Sequence, residues 1–422
     1  MRNLSSLFHS RAIPGILNSH VANRFAMKSQ PHIAVIGAGA FGGWTALHLV
    51  ERGARVTLLD AWGPGNSRAS SGGETRIMRG TYGPDQPYTE LAARALKLWP
   101  KYERRWKKQF LHRTGVLWMV SSRDGAYERG SLEPLRQARI KFWELSTAQM
   151  KKRWPQVNFV DVHWGILEPQ CGYLDARASC QAVVDAFVVQ GGVYRQLAVS
   201  PEGLENAATS SSLRGVTLSN GSSLKADYYV FACGPWLGKL FPQTLGEIIR
   251  PTKQDIFFFG TPAGDSRFTD AHLPVWGDHG ERFFYGIPGN DRRGLKIADD
   301  TRGGSFDPTN GERVVSPATL KRVREYIAFR FPAMKDAPLV ETRVCQYEQT
   351  SDSHFVVDRH PRMENVWLLG GGSGHGFKHG PALGEMMAGL ILKDGEPNPI
   401  WRLSRFSKRK QEVRASSITE DS

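Results

Sequence analysis

The chain has 422 residues, with 55 Lys and Arg against 41 Asp and Glu and a formal net charge of +14. This length exceeds what one hydrophobic core usually organises, so we expect two domains or one domain with an inserted lobe. No apolar run approaches the roughly 18 residues that cross a bilayer, so no membrane segment is expected. No basic helix, zinc-finger spacing or aromatic-rich RNA motif accompanies the charge. We therefore interpret it as a field that favours an anionic cofactor and substrate, with no nucleic-acid partner.

Residues 1–30 contain no acidic residue, several serines and the basic residues Arg2, Arg11, Arg24 and Lys28. This composition is typical of a mitochondrial presequence. However, Met27 stands only a few residues before the first strand, so an extension outside the fold is an equally good interpretation. We expect a cytoplasmic protein, or a mitochondrial one if residues 1–30 act as a presequence.

The four cysteines are far apart, and none belongs to a C-x-x-C pair; they are Cys171, Cys180, Cys233 and Cys345. This spacing argues against a disulfide framework and a structural zinc site, and favours a reducing compartment. His375 and His379 are four residues apart, but they lie in a glycine-rich loop without a carboxylate partner, so no metal is expected.

The first predicted unit runs from His32 through a β-branched strand, a glycine turn and a helix to a second strand that ends at Asp60. Gly37, Gly39 and Gly42 form G-x-G-x-x-G at the turn. Glycines let the backbone approach a pyrophosphate, and an acid at the end of the second strand accepts hydrogen bonds from a ribose. The pattern predicts a dinucleotide site, and by itself leaves FAD and NAD both open.

Further elements follow in chain order. Apolar residues at helical spacing from Leu91 to Trp106 predict a helix with a core face, and 115–121 reads as a strand. Asn220-Gly221 predicts a hairpin between strands near 216–218 and 223–225. Strands are expected at 228–232 and 365–369, the latter entering the glycine loop 370–378 and a helix that begins near Pro381.

Two more segments carry motifs: A-S-S-G-G-E-T-R-I-M-R-G-T-Y-G at 69–83 and C-Q-Y-E-Q-T-S-D at 345–352. With the dinucleotide turn and G-S-G-H-G-F-K at 372–378, they make four motifs in one order. This order resembles the monomeric sarcosine oxidase family, which includes N-methyltryptophan oxidase and pipecolate oxidase within the D-amino-acid oxidase superfamily. The resemblance covers about residues 31–395.

The resemblance implies an α/β fold with an α+β substrate lobe, in which a Rossmann-type FAD-binding domain is joined by an antiparallel-sheet substrate domain. We expect the FAD domain to comprise 31–90, 155–255 and 336–400, and the substrate domain 91–154 and 256–335. Residues 1–30 would be an extension, and 401–422 a basic polar tail. The implied protein is a monomer.

The resemblance also assigns FAD contacts, to Gly37, Gly39, Gly42, Asp60, Ser70, Ser71, Thr75, Arg76, Cys345, Gly374, Gly376 and Lys378. Cys345 stands where family members attach the flavin through a thioether. A thiolate among basic residues is nucleophilic, which supports this role. Outside the motif, an isolated cysteine is most often a small buried hydrophobe.

Around the flavin, the resemblance implies that Arg79 and Lys378 clamp the substrate carboxylate and that Tyr347 lines the pocket. Lys296 aligns with the lysine that activates oxygen, and Tyr285 and Arg76 complete the catalytic set. Two positions depart from the family. Gly72 and Asp300 stand where histidines are expected, so both should change the shape and charge of the pocket, and Asp300 is a candidate partner for a cationic group of the substrate.

The predicted function is FAD-dependent oxidation of the C–N bond of a small amino acid or amine, including N-methylated and cyclic ones, with O2 reduced to H2O2. The alternatives are a flavin amine dehydrogenase with another electron acceptor, a nicotinamide-dependent dehydrogenase, and a non-catalytic flavin-binding subunit. The expected partners are the small-molecule substrate and O2.

Overall fold

A computed structural model describes residues 30–122, 124–205, 211–290, 292–301 and 303–407. Two compact units are distinguished, Met1–Gln30 and Pro31–Ser422, and the fold described below belongs to the second. The presequence-like segment and the part of the predicted tail after residue 407 lie outside the described residues. Among the described residues, no helix is long and apolar enough to cross a membrane.

The strands are β1 His32–Ile36, β2 Arg55–Leu59, β3 Thr75–Met78, β4 Leu111–His112, β5 Val116–Val120, β6 Trp143–Ser146, β7 Trp164–Glu168, β8 Gly172–Asp175, β9 Val193–Arg195, β10 Val216–Thr217, β11 Ser223–Leu224, β12 Tyr228–Phe231, β13 Arg250–Phe259, β14 Val275–His279, β15 Phe283–Ile287, β16 Leu295–Asp299, β17 Leu339–Gln349, β18 Val356–His360 and β19 Met363–Gly370. The α-helices are α1 Ala40–Glu51, α2 Gln86–Trp106, α3 Ala126–Gln137, α4 Thr147–Arg153, α5 Ala176–Val189, α6 Leu237–Leu240, α7 Pro242–Leu245, α8 Pro317–Arg330 and α9 Gly380–Lys393. Short 3₁₀ turns include Phe377–His379, Pro399–Trp401 and Leu403–Ser407.

The first sheet is mostly parallel. Among the described residues it has the order β18-β19-β12-β1-β2-β9, and only β18 and β19 pair antiparallel. β1 is buried along its whole length, as expected for a parallel strand covered on both faces. The carboxyl ends of β1, β2 and β12 therefore meet at one edge, where a doubly wound sheet binds its ligand.

The second sheet is larger and mostly antiparallel. Its order among the described residues is β17-β13-β16-β15-β14-β5-β7-β6, with β14 and β5 as the parallel pair. β13 and β17 pair over ten residues of β13, from Arg250 to Phe259. A short antiparallel sheet, β3-β8-β4, places the T-R-x-x-R segment next to both larger sheets. The predicted 216–225 hairpin is present as β10 and β11.

An aromatic cluster fixes α1 against α2. The Trp44 side chain is 2% exposed, and its ring meets Trp99 and Tyr102 edge to face at centroid distances of 5.3 and 4.8 Å. Each such pair stabilises the fold by about 1 kcal/mol beyond the contribution of the buried apolar area. The aromatic stripe of α2 is thus the core face that its spacing predicted.

Three segments differ from the sequence-based assignment. β7 and β17 lie in the large sheet, although their residues were assigned to the FAD domain; the two-domain division itself stays a prediction.

Residues 401–407, expected to begin a polar tail, pack against the fold because Trp401 is buried and the Leu403 amide donates to Asp358 at 2.7 Å. Arg405 adds an ion pair with Asp352 at 2.8 Å, so a segment of polar composition is anchored by a few specific contacts.

Candidate active site

The predicted glycine turn lies at the mouth of a long cavity. Gly37 has φ +107°, and a Cβ there would meet the Ala232 carbonyl oxygen at 2.3 Å, so only glycine fits between β1 and β12. Gly42 packs in the same way, with a virtual Cβ 1.9 Å from the Gly37 oxygen. Gly39 precedes α1 and provides no side-chain cap. First-turn amides and the positive end of the helix dipole therefore face the cavity.

Asp60 lies in the wall of this cavity near the glycine turn. Its carboxylate accepts the amides of Ala38 at 2.8 Å, Trp62 at 2.9 Å and Gly63 at 2.8 Å. Burial raises the pKa of Asp60, and these three hydrogen bonds oppose the rise. The carboxylate lines the cavity beside Gly37 and Gly39. A glycine turn, a helix whose N-cap Gly39 has no side chain, and an acid at this spacing fit a dinucleotide such as FAD.

Arg76 joins the next group of predicted residues. Its guanidinium donates to the Ser70 carbonyl at 2.5 Å, to the Thr75 carbonyl at 2.8 Å and to Cys345 Sγ at 3.4 Å. Ser71 accepts the Ala40 amide at 3.1 Å, which ties this segment to the start of α1. The structure thus brings together the three motif segments that the sequence places more than 30 residues apart.

The glycine loop between β19 and α9 forms the other wall. Gly374 has φ +79°, and a Cβ there would lie 2.5 Å from the Tyr347 ring. Gly376 lies against Phe41 in the same way, with a virtual contact of 2.6 Å. Both line the long cavity, together with the buried Glu348, whose carboxylate accepts the Gly371 amide at 3.1 Å. Burial raises the pKa of Glu348 to about 7, against the opposing backbone hydrogen bonds.

A second cavity adjoins the first. The two share Arg76, Tyr347, Gly374 and Phe377 in their walls. Predicted site residues line the second cavity, namely Thr75, Arg76, Arg79, Tyr285, Lys296, Tyr347, Gly374 and Lys378. A cavity lined by a dinucleotide-type glycine turn, adjoining a pocket rich in cations, suits a cofactor ring placed beside an anionic substrate.

Arg79 and Lys378 form the predicted cationic pair. The Lys378 Nζ donates to the Tyr82 hydroxyl at 2.8 Å and to the His375 carbonyl at 2.7 Å. Arg79 lies over the Tyr82 ring at 4.1 Å and donates to the Thr81 carbonyl. Burial, and then the neighbouring Arg79 charge, lower the pKa of Lys378. Two cations held this close repel each other, so an anion between them would be stabilised.

Lys296 is 1% exposed, and its Nζ donates to the Thr75 carbonyl at 2.9 Å. Burial and the nearby Arg76 charge lower the pKa of Lys296 to about 7. Thr75 also donates its hydroxyl to Asn290 at 2.5 Å, which fixes the carbonyl that holds the lysine. The ammonium is therefore aimed at the cavity floor by a rigid backbone contact.

Asp300 follows β16 and bonds across to β17. The Tyr347 hydroxyl donates to Asp300 Oδ1 at 2.8 Å, which raises the pKa of Tyr347 together with its burial. Burial raises the pKa of Asp300 to about 7, and the Tyr347 hydrogen bond and the Arg79 charge act against the rise. Tyr285, one strand away, also has a raised pKa because of burial and the nearby Asp300.

Gly72 and Asp300, the two positions that depart from the family pattern, lie in different parts of the structure. Asp300 lines the second cavity, as expected. Gly72 lines neither cavity, and the same holds for Gly42 and Cys345 among the predicted cofactor residues. A Cβ at Gly72 would lie 1.9 Å from the Asn66 oxygen, and its carbonyl accepts from Arg177 at 3.0 Å. A tight turn therefore requires glycine there.

Several wall residues were not identified from the sequence. Trp118, Tyr127, His279 and Phe283 form an aromatic side of the second cavity, and His279 Nδ1 bonds to the buried Glu128. They come from separate elements and carry no local motif. Among the described residues, no group of His, Cys, Asp or Glu side chains is arranged to hold a metal ion.

A family model described as "FAD dependent oxidoreductase" matches residues 32–390. A monomeric sarcosine oxidase from Bacillus sp. (strain NS-129) is 29% identical over 395 residues, covering 92% of this chain and 100% of the relative. An N-methyl-L-tryptophan oxidase from Yersinia pestis (strain Pestoides F) is 26% identical, covering 89% and 98%. These similarities confirm the predicted resemblance.

Among solved structures, L-proline dehydrogenase from P. horikoshii superposes with a TM-score of 0.77 at 22% identity, covering 90% of this chain and 98% of the other. At this identity the likeness concerns the fold alone. It confirms the predicted combination of a Rossmann-type sheet with a second, largely antiparallel sheet.

Proposed function

Because the chain belongs to the family of FAD-dependent oxidoreductases, we propose that it oxidises the C–N bond of a small amino acid or related amine, with O2 as electron acceptor and H2O2 as product. The observation that carries this proposal is the junction of the two cavities at Arg76, Tyr347, Gly374 and Phe377. At this junction, one small molecule can contact the reactive end of a bound dinucleotide while the cations of the second cavity hold the other end of that molecule.

FAD, when bound, would supply a hydride acceptor next to the substrate carbon that carries nitrogen and a donor of two electrons to O2. The chain supplies the rest. Gly37, Gly39 and the start of α1 bind the pyrophosphate through backbone amides, and Asp60 accepts from a ribose hydroxyl. The family names of the relatives, sarcosine oxidase and N-methyl-L-tryptophan oxidase, support an amino-acid substrate.

Arg79 and Lys378 are proposed to bind the substrate carboxylate. Both line the second cavity, and their mutual repulsion is relieved when an anion lies between them. Tyr347, Tyr285 and Arg76 lie on the junction side, so a carboxylate held at the clamp directs the rest of a small molecule toward them. The clamp thus orients the C–H bond that must break.

Lys296 is proposed to promote electron transfer to O2. Its ammonium is buried on the floor of the second cavity and held by the Thr75 carbonyl at 2.9 Å. A fixed positive charge stabilises negative charge that develops on oxygen without any reorganisation of solvent. This favours an oxidase over a dehydrogenase that uses another acceptor.

Cys345 is proposed to hold the flavin covalently. Its thiol accepts a hydrogen bond from the Arg76 guanidinium at 3.4 Å, and Arg76 lines both cavities. As in the relatives named monomeric, we propose that one chain forms the complete site, since the clamp, the lysine and both cavities come from it.

The test is spectroscopic. Purified protein should be yellow and show the visible absorbance band of oxidised flavin, which an amine substrate bleaches without O2 and which returns when O2 is admitted, with release of H2O2. A panel of N-methyl, cyclic and primary amino acids, with amines that lack a carboxylate, identifies the substrate class.

The variant Arg79→Met tests whether the substrate is bound through a carboxylate. In Arg79→Met, bleaching by carboxylate-bearing substrates should weaken much more than bleaching by amines without a carboxylate. A colourless protein would rule out a flavoenzyme. A yellow protein that no amine bleaches would rule out amine oxidation, and bleaching without reoxidation by O2 would identify a dehydrogenase.

A further inference from the structure

The second cavity is strongly asymmetric in charge. Four cations line it: Arg76, Arg79, Lys296 and Lys378. Among the described residues in its wall, Asp300 is the single acidic side chain. A ligand that carries a cationic group as well as an anionic one therefore finds a carboxylate partner in this wall at Asp300.

Asp300 is held in place from two directions. Its amide donates to the Phe283 carbonyl at 2.8 Å, and its Oδ1 accepts the Tyr347 hydroxyl at 2.8 Å. Tyr347 belongs to the walls of both cavities. The carboxylate therefore stands at the junction side of the pocket, where a substrate presents its reacting C–N bond to the cofactor.

The charged and titratable groups that act on Asp300 come from every neighbouring element. Two cations act on it: Arg79, which follows β3, and Lys378, in the 3₁₀ turn before α9. The other groups are Tyr285 on β15, Tyr347 on β17, and Asp299, which precedes Asp300 at the end of β16. The two clamp cations favour the ionised carboxylate, whereas burial and Asp299 disfavour it.

We propose that Asp300 binds the protonated amino group of the substrate and accepts its proton, so that this site takes α-amino acids in their zwitterionic form. The proposal rests on the proposed function and names its substrate class. Carboxylate and ammonium of an amino acid match the pocket's two poles, the Arg79/Lys378 pair and Asp300. An amine without a carboxylate, or an acid without an amine, satisfies only one of them.

The proton step is balanced. One N–H bond of the substrate ammonium breaks, its electron pair stays on nitrogen, and the proton forms an O–H bond with the Asp300 carboxylate. The neutral amine that results has the lone pair needed before a hydride can leave the adjacent carbon. No oxidant or further reactant takes part in this transfer.

The test uses two ligand pairs of equal shape and different charge. Trimethylglycine is compared with 3,3-dimethylbutanoate, and glycine with propanoate, so that ammonium nitrogen replaces carbon in each pair. Dissociation constants for the holoenzyme are measured by titration calorimetry without O2 at pH 8, where Asp300 is ionised. The variants are Asp300→Asn, which keeps an acceptor for Tyr347, and Glu281→Gln, an exposed neighbour that lies outside the cavity.

The wild type and Glu281→Gln should bind the cationic member of at least one pair about tenfold more tightly, as expected for one fixed charge at close range. In Asp300→Asn the ratio should fall to about one, while the neutral acids bind as before. Burial raises the pKa of Asp300 to about 7 and lowers that of Lys296 to about 7, so the wild-type preference should decline as the pH falls from 8 to 6. Any decline that persists in Asp300→Asn measures the share due to Lys296, and the difference between the two proteins measures the share due to Asp300.

A wild type without cation preference, including one that binds neither cationic ligand, would overturn the proposal. So would an unchanged preference in Asp300→Asn. The readout needs no turnover: a failed ligand preference leaves amine oxidation standing, and failed oxidation with intact preference would reject the proposed function alone.

Discussion

Cys345 Sγ lies 3.4 Å from Nη2 of Arg76. The same guanidinium donates to the Ser70 and Thr75 carbonyls, so its position beside the sulfur is fixed by backbone contacts. The Cys345 thiol is therefore held beside a cation that lines the dinucleotide cavity. Among the four cysteines, Cys171 and Cys180 are buried, and burial raises the pKa of each thiol.

The first prediction concerns flavin attachment. When the wild-type protein is precipitated with acid, the yellow colour should stay with the polypeptide, and Cys345→Ser should release it to the supernatant because serine cannot form the thioether. Absorbance of the two fractions after centrifugation measures the outcome. The matched control is Cys233→Ser, since Cys233 lines the dinucleotide cavity but has a pKa that burial raises. Colour in the wild-type supernatant would contradict covalent attachment.

A second prediction separates oxygen reduction from amine oxidation. Lys296→Met should slow reoxidation by O2 about 10²–10³-fold, the loss typical of one removed electrostatic group in an active site. Anaerobic bleaching by substrate should change much less. Stopped-flow absorbance measures both half-reactions, and methionine fills the buried position without a desolvation cost, so the fold should persist.

The rate of reoxidation by O2 should also depend on pH, in a direction that the pKa of Lys296 sets. Burial and Arg76 lower the pKa of Lys296 to about 7, so the lysine is charged below that pH and loses its charge above it. The wild-type rate of reoxidation should decline as pH rises past this region, and a nearby anion would shift the decline upward without reversing it. Lys335→Met, at an exposed position, should behave as wild type. Equal losses in both half-reactions of Lys296→Met would argue for a structural role.

The sequence predicted the parts of the site that are local in the chain. Gly37, Gly39 and Gly42 stand within six residues, and Asp60 directly follows the next strand. Their spacing in the sequence therefore already determines their arrangement in the site. The Cys345 motif and the glycine loop were found through the resemblance. Their meeting with Arg76 depends on contacts such as that of Ser70 with the Gln346 carbonyl at 2.7 Å, 276 residues away.

What remained hidden depends on long-range packing. Glu168 is fully buried and accepts the Gly80 amide at 2.6 Å, the Thr81 hydroxyl at 2.7 Å and the Trp118 indole at 3.0 Å. It thereby shapes the turn after Arg79, yet nothing around Glu168 in the sequence marks it. Gly72 shows the converse: a substitution that seemed to alter the pocket belongs to a turn outside it.

A third prediction tests the carboxylate clamp. Arg79→Met should raise the dissociation constant of a simple carboxylate such as 3,3-dimethylbutanoate about 10- to 100-fold, the range for a lost charge-assisted hydrogen bond. Arg79→Lys should recover only part of the affinity, because an ammonium lacks the paired donors. Arg129→Met removes another arginine stacked on a tryptophan, but at an exposed position outside the cavity, and should leave binding unchanged. Equal weakening in both would remove Arg79 from the clamp.

The last prediction concerns Trp401, which turns the expected tail into part of the core. Its side chain is 3% exposed, and its indole donates to the Tyr88 hydroxyl at 3.1 Å. Tyr88 also accepts the Phe355 amide at 3.0 Å, and the Phe355 ring stacks on His375 of the glycine loop at a centroid distance of 5.0 Å. The C-terminal segment therefore supports the loop that carries Lys378.

Trp401→Ala should lower the free energy of unfolding by about 3–5 kcal/mol, the usual cost of removing a buried aromatic side chain. Trp401→Phe keeps most of the volume and should lose about 1 kcal/mol with the hydrogen bond. Urea unfolding of the holoprotein, followed by tryptophan fluorescence and flavin absorbance, measures both. Trp143, 40% exposed, offers the control: Trp143→Ala should cost less than about 1 kcal/mol. If the two alanine variants unfold alike, residues 401–407 do not stabilise the fold, and the polar-tail interpretation returns.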